Sequence, residues 1–246
     1  MKSRVPSVRI RSRNHHQVNP GGEYVVYWMI AARRSRFNFA LERAADWARH
    51  LDVPLVVLEA LRVGYPWASA RLHRFVLDGM VDNAAAFDRR EVSYLPYVEP
   101  EPGAGSGLLE SLAEDAAIIV TDDFPTFFLP GMVDAAARRL SIPLESVDSN
   151  GLIPLAATDS EFATAYAFRR WIQNNLHTHL DAMPLEDPLA ERLPRKAATP
   201  ADVLERWPAV SRSLLDDDPG ALAALPIDHH VRPAPTVGGE AAARQA

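Results

Sequence analysis

Two adjacent carboxylates, Asp122 and Asp123, directly follow a short apolar run and could support metal chemistry. Such a pair in a loop can hold Mg²⁺ together with the phosphates of a substrate. The same residues can instead cap the following turn through their own backbone. Because the chain contains no glycine-rich motif of the kind that cradles phosphates, the sequence favours the capping interpretation and predicts no metal site.

Three arginines, Arg33, Arg34 and Arg36, follow the first apolar run. Loops between regular elements often carry binding residues, so these cations could meet a phosphate or a carboxylate of a ligand. They could equally be solvated loop residues. The sequence leaves both interpretations open.

Other common catalytic patterns are missing from the sequence. The chain has no cysteine, which excludes a cysteine nucleophile and thiolate metal ligands. It has no G-x-S-x-G nucleophile elbow, and its eight histidines form no H-E-x-x-H pattern. The tryptophans fall at helical or strand spacing, where aromatic side chains usually belong to the core. We therefore assign no catalytic residue.

The elements that position these groups alternate between apolar runs and amphipathic stretches. Five apolar runs indicate buried strands, at residues 24–30, 53–61, 91–97, 116–121 and 143–147. Helical periodicity occupies the intervals between them. This alternation predicts an α/β fold: a doubly wound, Rossmann-like, five-stranded parallel sheet with strand order 3-2-1-4-5 and helices on both faces.

A fifth helical pattern follows the fifth strand. Thr158 and Glu161 have the spacing of a capping box. Behind them, apolar side chains recur at helical spacing, and we expect them to face the core: Phe162, Ala165, Tyr166, Ile172 and Leu176.

The predicted strand order also predicts where a ligand would bind. In open parallel sheets, ligands occupy the crevice outside the carboxyl ends of the strands, at the point where the strand order reverses. Here that point lies between the first and fourth strands. The crevice would be formed by residues 29–34 and 122–126.

Composition suggests three segments. Residues 1–22 concentrate basic side chains without a following apolar stretch, which indicates a disordered basic tail rather than a signal peptide, or else an arm that steers toward DNA. Residues 23–183 form the α/β domain. Residues 184–246 are interrupted by prolines and predict a linker. No run is long enough to span a membrane, and the absence of cysteine fits a cytoplasmic protein.

Several segments together resemble DNA photolyases of the photolyase and cryptochrome family, and class II cyclobutane pyrimidine dimer photolyases most of all. Their order and spacing carry the resemblance, which extends from residue 24 to about residue 239. The segments are 24–41 (YVVYWMIAARRSRFNFAL), 71–80 (RLHRFVLDGM), 120–130 (VTDDFPTFFLP), 147–155 (VDSNGLIPL), 164–180 (TAYAFRRWIQNNLHTHL) and 225–239 (LPIDHHVRPAPTVGG).

The resemblance implies a light-driven enzyme that repairs pyrimidine dimers in damaged DNA. In that family the N-terminal α/β domain can hold an antenna chromophore, often a deazaflavin, whereas FAD and the catalytic residues belong to a helical C-terminal domain. The antenna region carries over to residues Tyr27, Trp28, Met29, Arg33, Asp122, Asp123 and Asn150. Phe37 stands where many relatives have an aspartate, so this loop departs from the family pattern.

Two hypotheses about function follow. In the first, residues 184–246 are a linker and the beginning of an FAD-binding domain that the chain does not contain, so the chain alone would not repair DNA. In the second, the chain is a non-catalytic module that binds an antenna or a nucleotide and serves a separate FAD-bearing partner chain. An unrelated nucleotide-binding α/β protein is a third possibility, for which the ordered matches would be coincidence.

Overall fold

A computed structural model describes residues 3–196 and 199–246, so Lys2 of the basic segment lies outside the described residues. Its centre is a six-stranded sheet made of β1 (Ile10–Ser12), β2 (Tyr24–Met29), β3 (Leu55–Leu61), β4 (Val92–Val98), β5 (Ala116–Asp122) and β6 (Leu144–Val147). The helices are α1 (Phe39–Leu51), α2 (Ala70–Asp88), α3 (Leu108–Glu114), α4 (Leu129–Arg139), α5 (Ala165–Asn175), α6 (Ala201–Arg206), α7 (Arg212–Leu215), α8 (Pro219–Ala223) and α9 (Glu240–Ala243).

The strands β2 to β6 pair in parallel, in the order β6-β5-β2-β3-β4. The predicted order 3-2-1-4-5 is therefore confirmed for these five strands. The central strands β2 and β5 are buried along their whole length, because helices cover both faces of the sheet. One face packs against α1 and part of α2, and the other packs against α3 and α4.

The first 22 residues depart from the predicted disordered tail, because residues 7–12 are ordered. After a short 3-10 helix (Ser7–Arg9), β1 pairs antiparallel with β6 and adds a sixth strand at the edge of the sheet. Arg9 is 2% exposed, and its guanidinium donates to four carbonyl oxygens of residues 148–152 at 2.7–3.4 Å. Arg9 therefore anchors residues 7–12 to the domain instead of belonging to a solvated tail. Its guanidinium satisfies backbone carbonyl groups of residues 148–152 that have no partner in the sheet.

The helix after β6 is also different from the prediction. α5 begins behind Thr164, whose hydroxyl accepts a hydrogen bond from the backbone N–H of Ala167, so the predicted capping box at Thr158 and Glu161 is wrong. None of its residues is buried, and the expected core residue Tyr166 is 72% exposed. Phe162 packs instead on Trp171 within the same segment, at a ring-centroid distance of 5.6 Å.

Residues 184–196 and 199–246 contact the α/β domain at several separate points. Leu189, Val203 and Leu222 contribute to three different core clusters. Farther along, the backbone N–H of Gly238 donates to Asp78 of α2 at 2.9 Å. A side chain at position 238 would collide with the carbonyl oxygen of Phe75, so glycine permits this close approach to α2.

Among the described residues, no helix is long and apolar enough to cross a membrane.

Candidate functional site

Asp122, at the carboxyl end of β5, organises the loop that follows β2. Its carboxylate is 2% exposed and accepts hydrogen bonds from the backbone N–H groups of Ile30, Ala31 and Ala32 at 2.7–3.1 Å. It also accepts the hydroxyl proton of Tyr27 at 2.8 Å. Burial raises the pKa of Asp122, and these four hydrogen bonds partly offset that rise. Asp122 therefore holds the loop in place, and its oxygens are already occupied.

Tyr27 and Met29 lie on the same face of the sheet as α1 and are fully buried. The hydroxyl of Tyr27 also accepts a hydrogen bond from the side-chain amide of Asn38, the N-cap of α1. Burial, with the adjacent Asp122 as a smaller cause, raises the pKa of Tyr27 well above its ordinary value. These two predicted site residues belong to the core of the crevice wall, and neither lines the 130 Å³ and 410 Å³ cavities described below.

Asp123 and Asn150 do come together, as the strand order predicts. The side-chain amide of Asn150 donates to the backbone oxygen of Asp123 at 2.7 Å. With Asp122, Arg34 and Ser149 they line a cavity of about 130 Å³ between the ends of β2, β5 and β6. The predicted crevice therefore exists, but this volume is below the roughly 300 Å³ at which pockets for drug-sized ligands begin.

Arg33 is engaged by the protein itself. Its guanidinium donates to the carboxylate of Glu59 at 3.1 Å and to the carbonyl oxygen of Ala60 at 2.8 Å. Glu59 is fully buried in β3, and its second oxygen accepts from Asn83 at 2.9 Å and from the hydroxyl of Tyr94 at 2.6 Å. Arg33 thus compensates the buried charge of Glu59, so its guanidinium is not free to bind a ligand at the crevice.

The other two loop arginines also have protein partners. Arg34 donates to the backbone oxygen of Phe37 at 2.9 Å, and Arg36 forms ion pairs with Glu186 and with Glu240. These contacts favour the structural interpretation of both side chains. In the described part of the chain, no group of three histidine, aspartate or glutamate residues is placed to hold a metal ion.

Trp28 points to the opposite face of the sheet and lines a cavity of about 410 Å³. The floor is formed by Trp28, Leu58 and Tyr97 of the three strands β2, β3 and β4, and one wall by the α4 residues Met132 and Ala136, among others. Its volume lies in the range of pockets that bind small aromatic ligands. Of the predicted site residues, Trp28 alone reaches this cavity.

A glycine-rich loop, residues 99–107, forms the second wall of the cavity. Glu99 is 3% exposed and holds the loop from inside, because its carboxylate accepts the backbone N–H groups of Gly103, Gly105 and Val63 at 3.0–3.2 Å. A side chain at Gly105 would press against the ring of Tyr97. The loop composition thus lets the backbone lie directly on an aromatic ring of the cavity floor.

Sequence reasoning missed most of this cavity. The residues that it did not single out are Arg62, Tyr97, Glu99, Met132 and Arg139, all of which line the cavity. The signal that could have found them is the run EPEPGAGSG directly after the third strand. Three glycines in one loop at the carboxyl end of a parallel strand indicate close approach of the backbone to a ring or a ligand.

Comparison with known proteins finds two relatives named deoxyribodipyrimidine photo-lyase. The protein of Methanothermobacter thermautotrophicus is 36% identical over 173 residues, which are 70% of this chain and 38% of the relative. The protein of Arabidopsis thaliana is 27% identical over 168 residues, 67% of this chain and 33% of the relative. The chain thus spans about a third of the length of these curated relatives, and the predicted resemblance to photolyases is confirmed.

No family model matches the chain. Among solved structures, a universal stress protein in complex with cAMP covers 52% of this chain and 99% of its own, with 18% identity and a TM-score of 0.33. A likeness at that level carries no argument about function.

Proposed function

Since the chain is related over 70% of its length to deoxyribodipyrimidine photo-lyases, we propose that it is the N-terminal, α/β portion of such an enzyme and that its own role is to bind an antenna chromophore. The observation that carries this proposal is the 410 Å³ cavity on the face of Trp28. Two strand aromatics, Trp28 and Tyr97, and the apolar side chains of α4 suit a flat, largely apolar ring system.

A deazaflavin is the chromophore that we propose for this cavity. Trp28, Leu58 and Met132 would hold such a tricyclic ring, and Arg62 would supply a cation of the same lining to its polar groups. Asp122 and Asp123 line two smaller cavities, of about 130 Å³ (with Asn150) and about 250 Å³. Each is below the roughly 300 Å³ of typical ligand pockets, so we favour the 410 Å³ cavity for the chromophore.

The roles that we propose for FAD and damaged DNA are inferred from the similarity to the photo-lyases alone. The photochemistry would be supplied by FAD, with the damaged DNA as substrate, in the part of the relatives that this chain does not span. A separate FAD-bearing chain would serve the same purpose as a partner. In either arrangement the α/β portion absorbs light and passes the excitation on.

A cavity-filling variant tests the ligand site. Ala135 lines the cavity from α4, so Ala135→Trp should occupy the space of the ligand and reduce deazaflavin binding at least tenfold. Arg138→Trp places the same bulk on the exposed side of the same helix and should leave binding unchanged. Binding is measured by titrating the purified chain with a deazaflavin and following its fluorescence. Equal binding by wild type and Ala135→Trp would contradict the assignment of the ligand to this cavity.

A repair assay tests the division of labour. The purified 246-residue chain, loaded with deazaflavin, should not repair a thymine-dimer oligonucleotide under near-UV light, because the antenna does not perform the bond cleavage. Turnover by this chain without any added protein would overturn that part of the proposal.

A further inference from the structure

Two exposed aromatic rings, Trp67 and Phe127, meet above the carboxyl edge of the sheet. They lie on different loops, after β3 and after β5, and their ring centroids are 6.3 Å apart in an edge-to-face arrangement. Trp67 is 74% exposed and Phe127 is 72% exposed. Burial therefore does not explain why both rings are held against each other.

Both residues also have a left-handed backbone, with φ of 70° at Trp67 and 60° at Phe127. Bulky L residues rarely adopt this conformation because the side chain crowds the backbone. Such outliers concentrate where a structure positions or moves a functional group. Because both residues of this ring contact have a left-handed backbone, the contact is a candidate for a functional role.

The two loops flank the 410 Å³ cavity. Arg62, in the first loop, lines the cavity and lies 5.8 Å above the ring of Phe128 in the second loop. Tyr65 also contacts Phe128, at a centroid distance of 5.4 Å. Phe128 is the N-cap of α4, whose residue Met132 belongs to the cavity wall. The ring contacts thus join the two loops at the edge of the cavity, next to its lining residues Arg62 and Met132, although the rings themselves are not part of the lining.

Ring contacts are the link between these loops in the described part of the chain, where no hydrogen bond or ion pair joins residues 62–69 to residues 123–128. The far end of the first loop is fixed, because Asp228 exchanges two backbone hydrogen bonds of 2.9 Å with Ala68 and Ala70. Separating the rings therefore breaks no hydrogen bond, and the fixed loop end would restore the contact afterwards.

We propose that Trp67 and Phe127 form a gate over the cavity and set how long its ligand stays bound. The identity of the ligand rests on the proposed function, whereas the gate rests on the geometry above. A ligand enters when the rings part, and the rings then close over its outer edge. A single aromatic contact contributes little free energy, so thermal motion is sufficient to part the rings.

Ligand kinetics test the gate. Trp67→Ala and Phe127→Ala should each raise both the association and dissociation rates of a deazaflavin, the latter roughly 2- to 10-fold from the usual strength of one aromatic contact. Trp67→Phe keeps a ring and should restore near wild-type rates. Phe37→Ala is the matched control, because Phe37 is also exposed and has φ of 47° but lies outside the gate. Unchanged rates in both alanine variants would overturn the proposal.

Hydrogen exchange tests the gate without ligand. Trp67→Ala should accelerate amide exchange in residues 123–128, across the contact, and Phe127→Ala should do so in residues 62–69, whereas Phe37→Ala should affect neither loop. Exchange that changes solely in the mutated loop would overturn the gate. If wild type binds no deazaflavin but the loops are coupled in this way, the proposed ligand is wrong and the gate stands.

Discussion

The hydroxyl of Tyr27 donates a 2.8 Å hydrogen bond to the carboxylate of Asp122, joining the neighbouring strands β2 and β5 at their carboxyl ends. The same carboxylate receives three backbone N–H groups from the loop after β2. These hydrogen bonds narrow the crevice at the reversal of strand order to a cavity of about 130 Å³, whereas the 410 Å³ cavity lies on the other face of the sheet.

The adjacent aspartates should respond very differently to removal. Asp122→Ala leaves three backbone donors and the hydroxyl of Tyr27 without an acceptor, so the free energy of unfolding should fall by about 3 kcal/mol or more. Asp123→Ala removes a carboxylate whose ion pair with Arg11 spans 4.0 Å at the surface, and should cost less than about 1 kcal/mol. Urea unfolding of both variants checks this, and similar losses would contradict the role given to Asp122.

Arg33 should matter for stability more than for ligand binding. Arg33→Met leaves the buried Glu59 without its countercharge and should lower the free energy of unfolding by roughly 3–5 kcal/mol. The double variant Arg33→Met with Glu59→Met removes both charges and should be less destabilised than the single variant. A double-mutant cycle by chemical denaturation measures the difference. If Arg33→Met remained stable and lost deazaflavin binding, the ligand role first expected for Arg33 would be correct.

Stability should fall as the pH is lowered below neutrality because of His73. Burial lowers the pKa of His73 in the folded protein, so the unfolded chain takes up the proton first. The stability that neutral His73 contributes is therefore present above the unfolded pKa of about 6.5 and is lost as the pH falls toward the folded pKa. The loss is at most about 1.4 kcal/mol per pH unit for one proton.

Urea midpoints between pH 7.5 and 5 check the histidine effect. His73→Gln should flatten the pH dependence, whereas His177→Gln, at an exposed position, should leave it as in wild type. The same slope in wild type and His73→Gln would assign the effect to other groups.

The N-terminal strand should be required for full stability. Arg9→Ala removes the donor of four backbone hydrogen bonds and should lower the free energy of unfolding by about 2 kcal/mol or more. Arg4→Ala is the control, because the ion pair of Arg4 with Glu191 is mostly solvated and should contribute less than about 1 kcal/mol. Hydrogen exchange should locate the effect of Arg9→Ala in β1 and residues 148–152. Equal free energies of unfolding for Arg9→Ala and Arg4→Ala would indicate that residues 1–22 behave as a disordered tail.

The five parallel strands could be predicted because a strand buried on both faces is a continuous apolar run, which is visible in the sequence alone. The sequence could not predict β1, since the basic composition of residues 7–12 does not reveal that Arg9 meets carbonyl groups about 140 positions away. For α5, periodicity identified a helix but not whether its apolar side would be covered.

The candidate site was predicted less well than the fold, for a related reason. Trp28 emerged because it belongs to an apolar strand at the crevice, and the structure places it on the cavity. Arg33 looked like a free cation because Glu59 is hidden inside the apolar run of β3. The partners of buried charges come from distant elements, so their pairing cannot be read from local pattern.

The hydrogen bond between Asp78 and Gly238 closes a loop of 160 residues. Contacts of such sequence separation are entropically costly to form early and tend to slow folding. During synthesis, α2 emerges long before residues 225–241, so Leu72 and Phe75 are exposed to solvent in the meantime. Both side chains remain about half exposed in the folded protein. We therefore expect residues 225–241 to pack against α2 late in folding. Until then, the exposed apolar side chains of α2 can form non-native contacts or bind chaperones.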